Sequence, residues 1–194
     1  MLDMDFFETA YRGRPPWDIG RPQKEFIGLA RRGEITGPVL DIGCGTGDNA
    51  LFFADQGLEV VGIDAVPAAI EKAKAKAAGR PGVRFLVLDA LDLPALNRTF
   101  GTVTDCGFFH TLSDEARPLY ADNLAAVLPH GGKYFMLCFS ELEPAGYGPR
   151  RVTQQEIREC FRNGWIIRDI RPAVFEASTR AEGARAWLSL VQKR

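Results

Sequence analysis

A short apolar run, Val39-Leu40-Asp41-Ile42, breaks into the loop Gly43-Cys44-Gly45-Thr46-Gly47-Asp48, and a segment of helical composition, Asn49 to Gln56, follows. Few arrangements accommodate such a stretch. A strand must give way at once to a tight turn, and glycines at alternate positions let the backbone turn and approach a ligand closely. The next helix points its unpaired amides at the same place. Two common phosphate sites are excluded by the spacing. A dinucleotide fingerprint, G-x-G-x-x-G, needs a glycine where Asp48 stands, and a carboxylate there repels a pyrophosphate. The P-loop pattern G-x-x-x-x-G-K-[ST] occurs nowhere in the chain.

After this loop, strand and helix patterns alternate. Glu59-Val60-Val61-Gly62-Ile63 reads as a strand, and Pro67 stands where the first turn of a helix tolerates it. Val83 to Leu88 and Thr102 to Phe108 read as further strands, Asp114 to Leu128 as a helix, and Lys133 to Phe139 as a fifth strand. Thr153-Gln154-Gln155-Glu156 has the form of a capping box. Trp165 to Ile170 and Arg185 to Gln192 read as two last strands with a loop between. Such alternation predicts an α/β fold, a doubly wound, mostly parallel sheet, with an antiparallel pair at one edge. Ligands in these sheets bind beyond the C-terminal strand ends. The loops that begin at Gly43, Asp64, Asp89, Cys106 and Ser140 are therefore expected to share one site.

Composition narrows the function classes. The 194 residues carry 24 Lys plus Arg against 25 Asp plus Glu, a net charge of −1, so a cationic nucleic-acid binder is not expected. With 46% hydrophobic residues the chain is not of disordered composition. It has no apolar run long enough to span a membrane, and Met1 to Asp5 lacks the basic start of a signal peptide. Cys44, Cys106, Cys138 and Cys160 are scattered, which fits neither a disulfide framework nor a zinc site. A cytoplasmic protein of one domain, residues 1–194, is expected, with no metal and no membrane partner. Within it, residues 1–35 form a helical lid and residues 36–194 the core.

Acidic residues close the successive strands. Asp64 lies about 20 positions past Gly43, near the spacing of a ribose-binding carboxylate. It could instead only stabilise the helix that follows. Asp89 ends the third strand, where a carboxylate can accept from an adenine amino group while the Ala90 amide donates to a ring nitrogen. A purely turn-forming Asp89 is the alternative.

Together these residues resemble a class I S-adenosylmethionine-dependent methyltransferase. The carriers are Val39 to Ala50, Val61-Gly62-Ile63-Asp64, Val87-Leu88-Asp89-Ala90, and Leu128-Pro129-His130-Gly131-Gly132-Lys133, where His130 intrudes before the glycine pair. The resemblance implies a seven-stranded Rossmann-like sheet with a reversed last strand and S-adenosyl-L-methionine as cofactor. It places Asp41 near the cofactor ammonium, the loop Gly43, Cys44, Gly45, Gly47 and Asn49 around the methionine moiety, Asp64 and Ala65 at the ribose, and Asp89, Ala90 and Leu91 at the adenine. Cys106 adjoins that pocket. A narrower similarity, Gly47 to Ala54, is to small-molecule methyltransferases of the thiopurine-, hydroxyquinoline- and thiol-methylating kind. Pro16 to Pro22 is similar to a segment some of them carry, in which Trp17 helps close the cofactor pocket. Trp17 could equally pack the N-terminal helix.

Methyl transfer needs a nucleophile held in line, and a base only if the nucleophile must lose a proton. Phe108 and Phe109 are candidates for the wall of an acceptor pocket, with Tyr11, Tyr147 and Arg151 from the flanking segments. His110 could accept a proton from a hydroxyl or thiol, or simply line the pocket. The acceptor is expected to be small and aromatic or lipophilic, and the protein a monomer or homodimer. A non-catalytic cofactor-binding module, a nicotinamide oxidoreductase and an RNA methyltransferase are the competing readings.

Overall fold

We describe the protein from a computed structural model, which covers residues 4–146 and 148–194. The elements in chain order are α1 (Met4–Arg12), α2 (Lys24–Arg31), β1 (Val39–Ile42), α3 (Asp48–Asp55), β2 (Val60–Asp64), α4 (Pro67–Lys76), β3 (Val83–Val87), β4 (Thr102–Cys106), α5 (Ala116–Val127), β5 (Lys133–Phe139), α6 (Gln154–Cys160), β6 (Trp165–Ala177) and β7 (Arg180–Lys193). Short 3-10 segments, Ala90–Leu96 and Phe109–Thr111, follow β3 and β4.

The strands form one sheet in the order β3-β2-β1-β4-β5-β7-β6. β1 to β5 are parallel, and β7 runs antiparallel to both of its neighbours. The chain winds outward from β1 to β3, then returns to lay β4 against β1. The switch point therefore lies between β1 and β4, and the loops that leave these two strands flank it.

Alternation along each strand divides the core into two layers. Leu40, Ile42, Val61, Ile63 and Val103 face α5 and α6, together with Tyr120, Leu124 and Phe161. Val39, Val60, Phe85, Phe135 and Leu137 face the other way, against Phe26, Leu29, Phe53 and Ile70 of α2, α3 and α4. The helix boundaries have local causes. Pro67 occupies the first turn of α4, and Thr153 and Glu156 complete the capping box of α6.

Two features differ from the sequence expectation. β6 and β7 run on to a shared hairpin turn, although Pro172 interrupts the strand pattern. β6 is the edge strand, so the N–H that proline lacks takes no bond away from the sheet interior. The extra length carries Phe175 to the ligand end of the sheet. The two N-terminal helices also divide their work. α1 lies on α4, where Lys72 Nζ donates to the carbonyls of Tyr11 and Gly13, both at 2.6 Å. α2 buries Phe26 and Leu29 in the core beside Phe53. No helix among the described residues is long and apolar enough to cross a membrane.

Candidate active site

The glycine loop closes on itself. Cys44 N donates to the Ile63 carbonyl (2.9 Å), Gly45 N to Asp64 Oδ2 (2.9 Å) and Gly47 N to the Cys44 carbonyl (2.9 Å). Three amides of the loop are thus committed within the protein. Gly45 is required by close approach, because a Cβ there would stand 2.8 Å from the Tyr11 hydroxyl. Gly47 has φ +86°, and its Cβ would stand 2.6 Å from Phe85. Gly47 is therefore a core-packing glycine at the start of α3 and does not line the cavity below.

A cavity of about 670 Å³ opens at the C-terminal strand ends. One end is lined by Gly43, Asp64, Ala65, Val66, Leu88 and Ala90. Asp64 is nearly enclosed. Its oxygens accept from Gly45 N and Val66 N, and burial, opposed by these two amides, raises its pKa. Each oxygen keeps a second lone pair for a hydroxyl. A narrow cleft continues along the loop past Cys44, Gly45 and Asn49 to Asp18, Arg21 and Gln23.

The chain before α2 is pinned across this cleft. Thr46 Oγ1 donates to Asp18 Oδ2 (3.1 Å), and Gln23 exchanges two hydrogen bonds with the backbone of Glu176 (2.9 and 3.0 Å). Trp17 Nε1 donates to the Tyr11 hydroxyl (3.0 Å), and the Trp17 ring contacts Phe6, Phe7 and Tyr11. Burial in this cluster, together with Asp64, pushes the Tyr11 pKa far up, so its hydroxyl stays protonated.

The opposite end is lined by Phe108, His110, Thr111, Phe139, Phe175, Arg150 and Arg180. His110 Nδ1 accepts from the Phe139 amide at 3.1 Å, and its ring packs on Phe139 and Phe175. Burial, with Arg151 and Arg117 nearby, lowers its pKa to about 3. Asp105 fixes the turn that carries these residues. Its carboxylate accepts from Phe108 N (2.8 Å), Tyr134 (2.7 Å) and Tyr120 (3.0 Å), while burial raises its pKa to about 6.

Among the residues singled out from the sequence, Tyr11, Trp17, Gly43, Cys44, Gly45, Asn49, Asp64, Ala65, Ala90, Cys106, Phe108 and His110 meet at the cavity or its cleft. Several others do not. Asp41 sinks between β2 and β4, where Oδ1 accepts from Thr104 Oγ1 (2.7 Å) and Oδ2 has no partner among the described residues. Burial raises its pKa to about 7. Asp89 points to solvent and caps its own turn, accepting from Leu91 N (2.8 Å). Leu91 packs on the core and its carbonyl accepts from Asn123. Phe109 is fully buried against Tyr120 and Phe161, because the turn after β4 directs it inward. Arg151 holds the neighbouring loop by donating to the carbonyls of Pro144 and Pro149. Tyr147 lies outside the described residues.

Phe139, Phe175, Arg180, Asp18 and Gln23 were not singled out. Phe175 and Arg180 carried no local signal, since they reach the site only through the full length of the hairpin. Asp18 and Gln23 sit in or beside the Trp17 segment, whose likeness to a pocket-closing stretch was the available hint.

The donor set fits S-adenosylmethionine. Three amides of the glycine loop are committed, the Asp64 carboxylate at the end of β2 lines the cavity, and aromatic faces suit a sulfonium. A family model described as a methyltransferase domain matches residues 39–132. Over 181 residues the chain is 38% identical to a methyltransferase of Mycobacteroides abscessus, covering 87% of this chain and 80% of that one. The chain belongs to the class I S-adenosylmethionine-dependent methyltransferases and is an enzyme of that type, with S-adenosylmethionine as its cofactor. The mycobacterial relative is a 2-heptyl-1-hydroxyquinolin-4(1H)-one methyltransferase. A second relative, a probable thiol methyltransferase 2 of Arabidopsis thaliana, is 30% identical and covers 77% of this chain and 67% of that one. A solved structure described as "Conversion of a Disulfide Bond into a Thioacetal Group during Echinomycin Biosynthesis" matches with a TM-score of 0.88 and 33% identity, over 98% of this chain and 92% of that one.

Proposed function

We propose that the protein methylates a heteroatom of a small, flat, largely apolar aromatic acceptor in the cytoplasm. The observation that carries this reading is the continuous cavity of about 670 Å³, which runs from Asp64 and Ala90 to His110 and Phe175 and has an aromatic cover. That volume lies within the usual range for small-molecule sites. The relatives that act on a hydroxyquinolone and on thiols support the same class of acceptor.

Bound at the glycine loop, S-adenosylmethionine supplies a methyl group on a sulfonium, an electrophile with a neutral leaving group. Asp64 holds the ribose hydroxyls, and Ala90 and Leu88 flank the base. Trp17, with Tyr11 behind it, covers the cofactor and excludes water. Phe108, Phe139 and Phe175 grip the acceptor ring and hold its nucleophilic atom in line. Cys106 is a small wall residue, since burial keeps its thiol protonated. The segment before residue 36 and the core after it act as one methyltransferase domain, as a monomer or homodimer, with no nucleic-acid partner.

The test is a transfer assay with methyl-labelled S-adenosylmethionine offered to thiophenols, N-hydroxyquinolones, phenols, a bulk RNA and a polypeptide mixture. Label is expected in small aromatic acceptors alone. Transfer confined to RNA or polypeptide would sink the proposal.

A further inference from the structure

We propose that the acceptor is an acidic aromatic hydroxyl or thiol that arrives already as its anion, and that His110 meets it as a hydrogen-bond donor and not as a base. This rests on the functional reading above and assigns the acceptor class and the role of His110 within it.

The geometry of His110 carries the argument. Its Nδ1 accepts the Phe139 amide proton at 3.1 Å, so Nδ1 bears no hydrogen. A neutral imidazole held this way carries its proton on Nε2. Nε2 has no partner among the described residues and is not one of the sealed, unbonded polar atoms of the interior, so it opens onto the cavity that His110 lines. An N–H is therefore aimed at the acceptor, where a base would need a free lone pair.

Conversion of His110 to a cation is opposed from every side. The ring is buried against Phe139 of β5 and Phe175 of β6, and the guanidinium groups of Arg117 on α5 and Arg151 after β5 both disfavour a second positive charge. The lining offers no substitute base among the described residues. Its carboxylate, Asp64, stands at the cofactor end and accepts two amides. The Cys106 thiol and the Tyr11 hydroxyl are held protonated by burial. The acceptor end instead carries two guanidinium groups. Arg150, steadied by Asp114 and Glu156, and Arg180, steadied by Glu143, both line it.

The step balances without a base. A lone pair of the acceptor anion forms the new bond to the methyl carbon, the carbon–sulfur bond breaks, and its pair stays on sulfur. One negative and one positive charge are consumed, and no proton is released. An anion bound in a dry cavity keeps its nucleophilicity while the Nε2–H holds it in line.

Nitrogen NMR of histidine-labelled protein tests the role of His110 directly, with exposed His130 removed as His130→Gln so that one imidazole is observed. The Nε2–H tautomer is expected throughout from about pH 5 to pH 9. An imidazolium or an Nδ1–H form between about pH 6 and pH 8 would overturn the proposal. The acceptor class is read from kcat/KM against pH for a series of ring-substituted thiophenols or N-hydroxyquinolones. The inflection is expected to follow each acceptor's own ionisation, and one fixed inflection across the series would overturn the proposal. His110→Gln keeps both an acceptor for the Phe139 amide and a donor for the anion, and it should stay within about 5-fold of the parent. His110→Phe should lose about 10- to 100-fold. Equal losses in the two variants would contradict a donor role. If no small acceptor is methylated at all, the functional reading fails, while the tautomer measurement still decides the role of His110.

Discussion

Asp64 is the carboxylate that lines the cavity. It sits at the end of a strand buried along most of its length, and both oxygens point away from solvent toward backbone amides and the cavity. Replacing it by alanine removes charge-assisted bonds worth about 1.5–3 kcal/mol, so Asp64→Ala should weaken S-adenosylmethionine binding about 10-fold or more in calorimetry. An unchanged dissociation constant would remove Asp64 from the site. Asp41 makes a different prediction. Its folded pKa of about 7 lies above its ordinary value of 3.8, so its stabilising contribution is complete below about pH 4 and is lost as pH rises through 7. Asp41→Asn keeps a neutral side chain at every pH. Its Tm relative to the parent should rise between about pH 5 and pH 8 by at least about 3 °C, roughly 1 kcal/mol in a chain of this size. A pH-independent difference in differential scanning calorimetry would refute the buried-charge account. Both residues were visible in the sequence as strand-end acids, but only Asp64 reaches the cavity. The difference is depth. Asp41 lies one residue before the end of β1, directly between Gly62 and Thr104, while Asp64 is the last residue of β2.

At the scale of elements, the first half of the chain was legible because its signals are local. A strand, a glycine turn and a helix follow one another within a few residues, and each piece fixes the next. Gly47 shows how tight this is, since an added methyl would overlap Phe85 of β3 and Ala73 of α4. Gly47→Ala combines positive-φ strain with overpacking, together about 2–4 kcal/mol, and should lower Tm by at least about 5 °C. A Tm within about 1 °C of the parent would contradict this packing. The lid and the terminal hairpin were less legible. The cover over the glycine loop depends on pairs far apart in sequence, such as Gln23 with Glu176 and Arg21 with Glu176. The reach of β6 depends on an edge position that makes Pro172 tolerable. Periodicity within a window reports neither. Trp17→Ala tests the lid as an element. It removes the Tyr11 bond and three ring contacts at a half-buried position, so it should raise the cofactor dissociation constant several-fold, about 5-fold or more, with little change in Tm. A large drop in Tm with unchanged affinity would make Trp17 a packing residue only.

The whole molecule joins these scales through topology. The strand order puts the loops after β1 and β4 on either side of the switch point, and the crossover from β3 back to β4 brings the acceptor wall beside the cofactor loop. A near-zero net charge gives no generic attraction for polyanions, while the Asp64 carboxylate at the end of β2 faces the cavity. Arg150 and Arg180, each held by acidic partners, line the far side. The most direct measurement is a single-turnover experiment. Protein in excess is loaded with methyl-labelled S-adenosylmethionine and mixed with an N-hydroxyquinolone or a thiophenol. The label should pass to the acceptor while S-adenosylhomocysteine appears in equal amount. Bound S-adenosylmethionine that stays intact with every small acceptor would contradict the account.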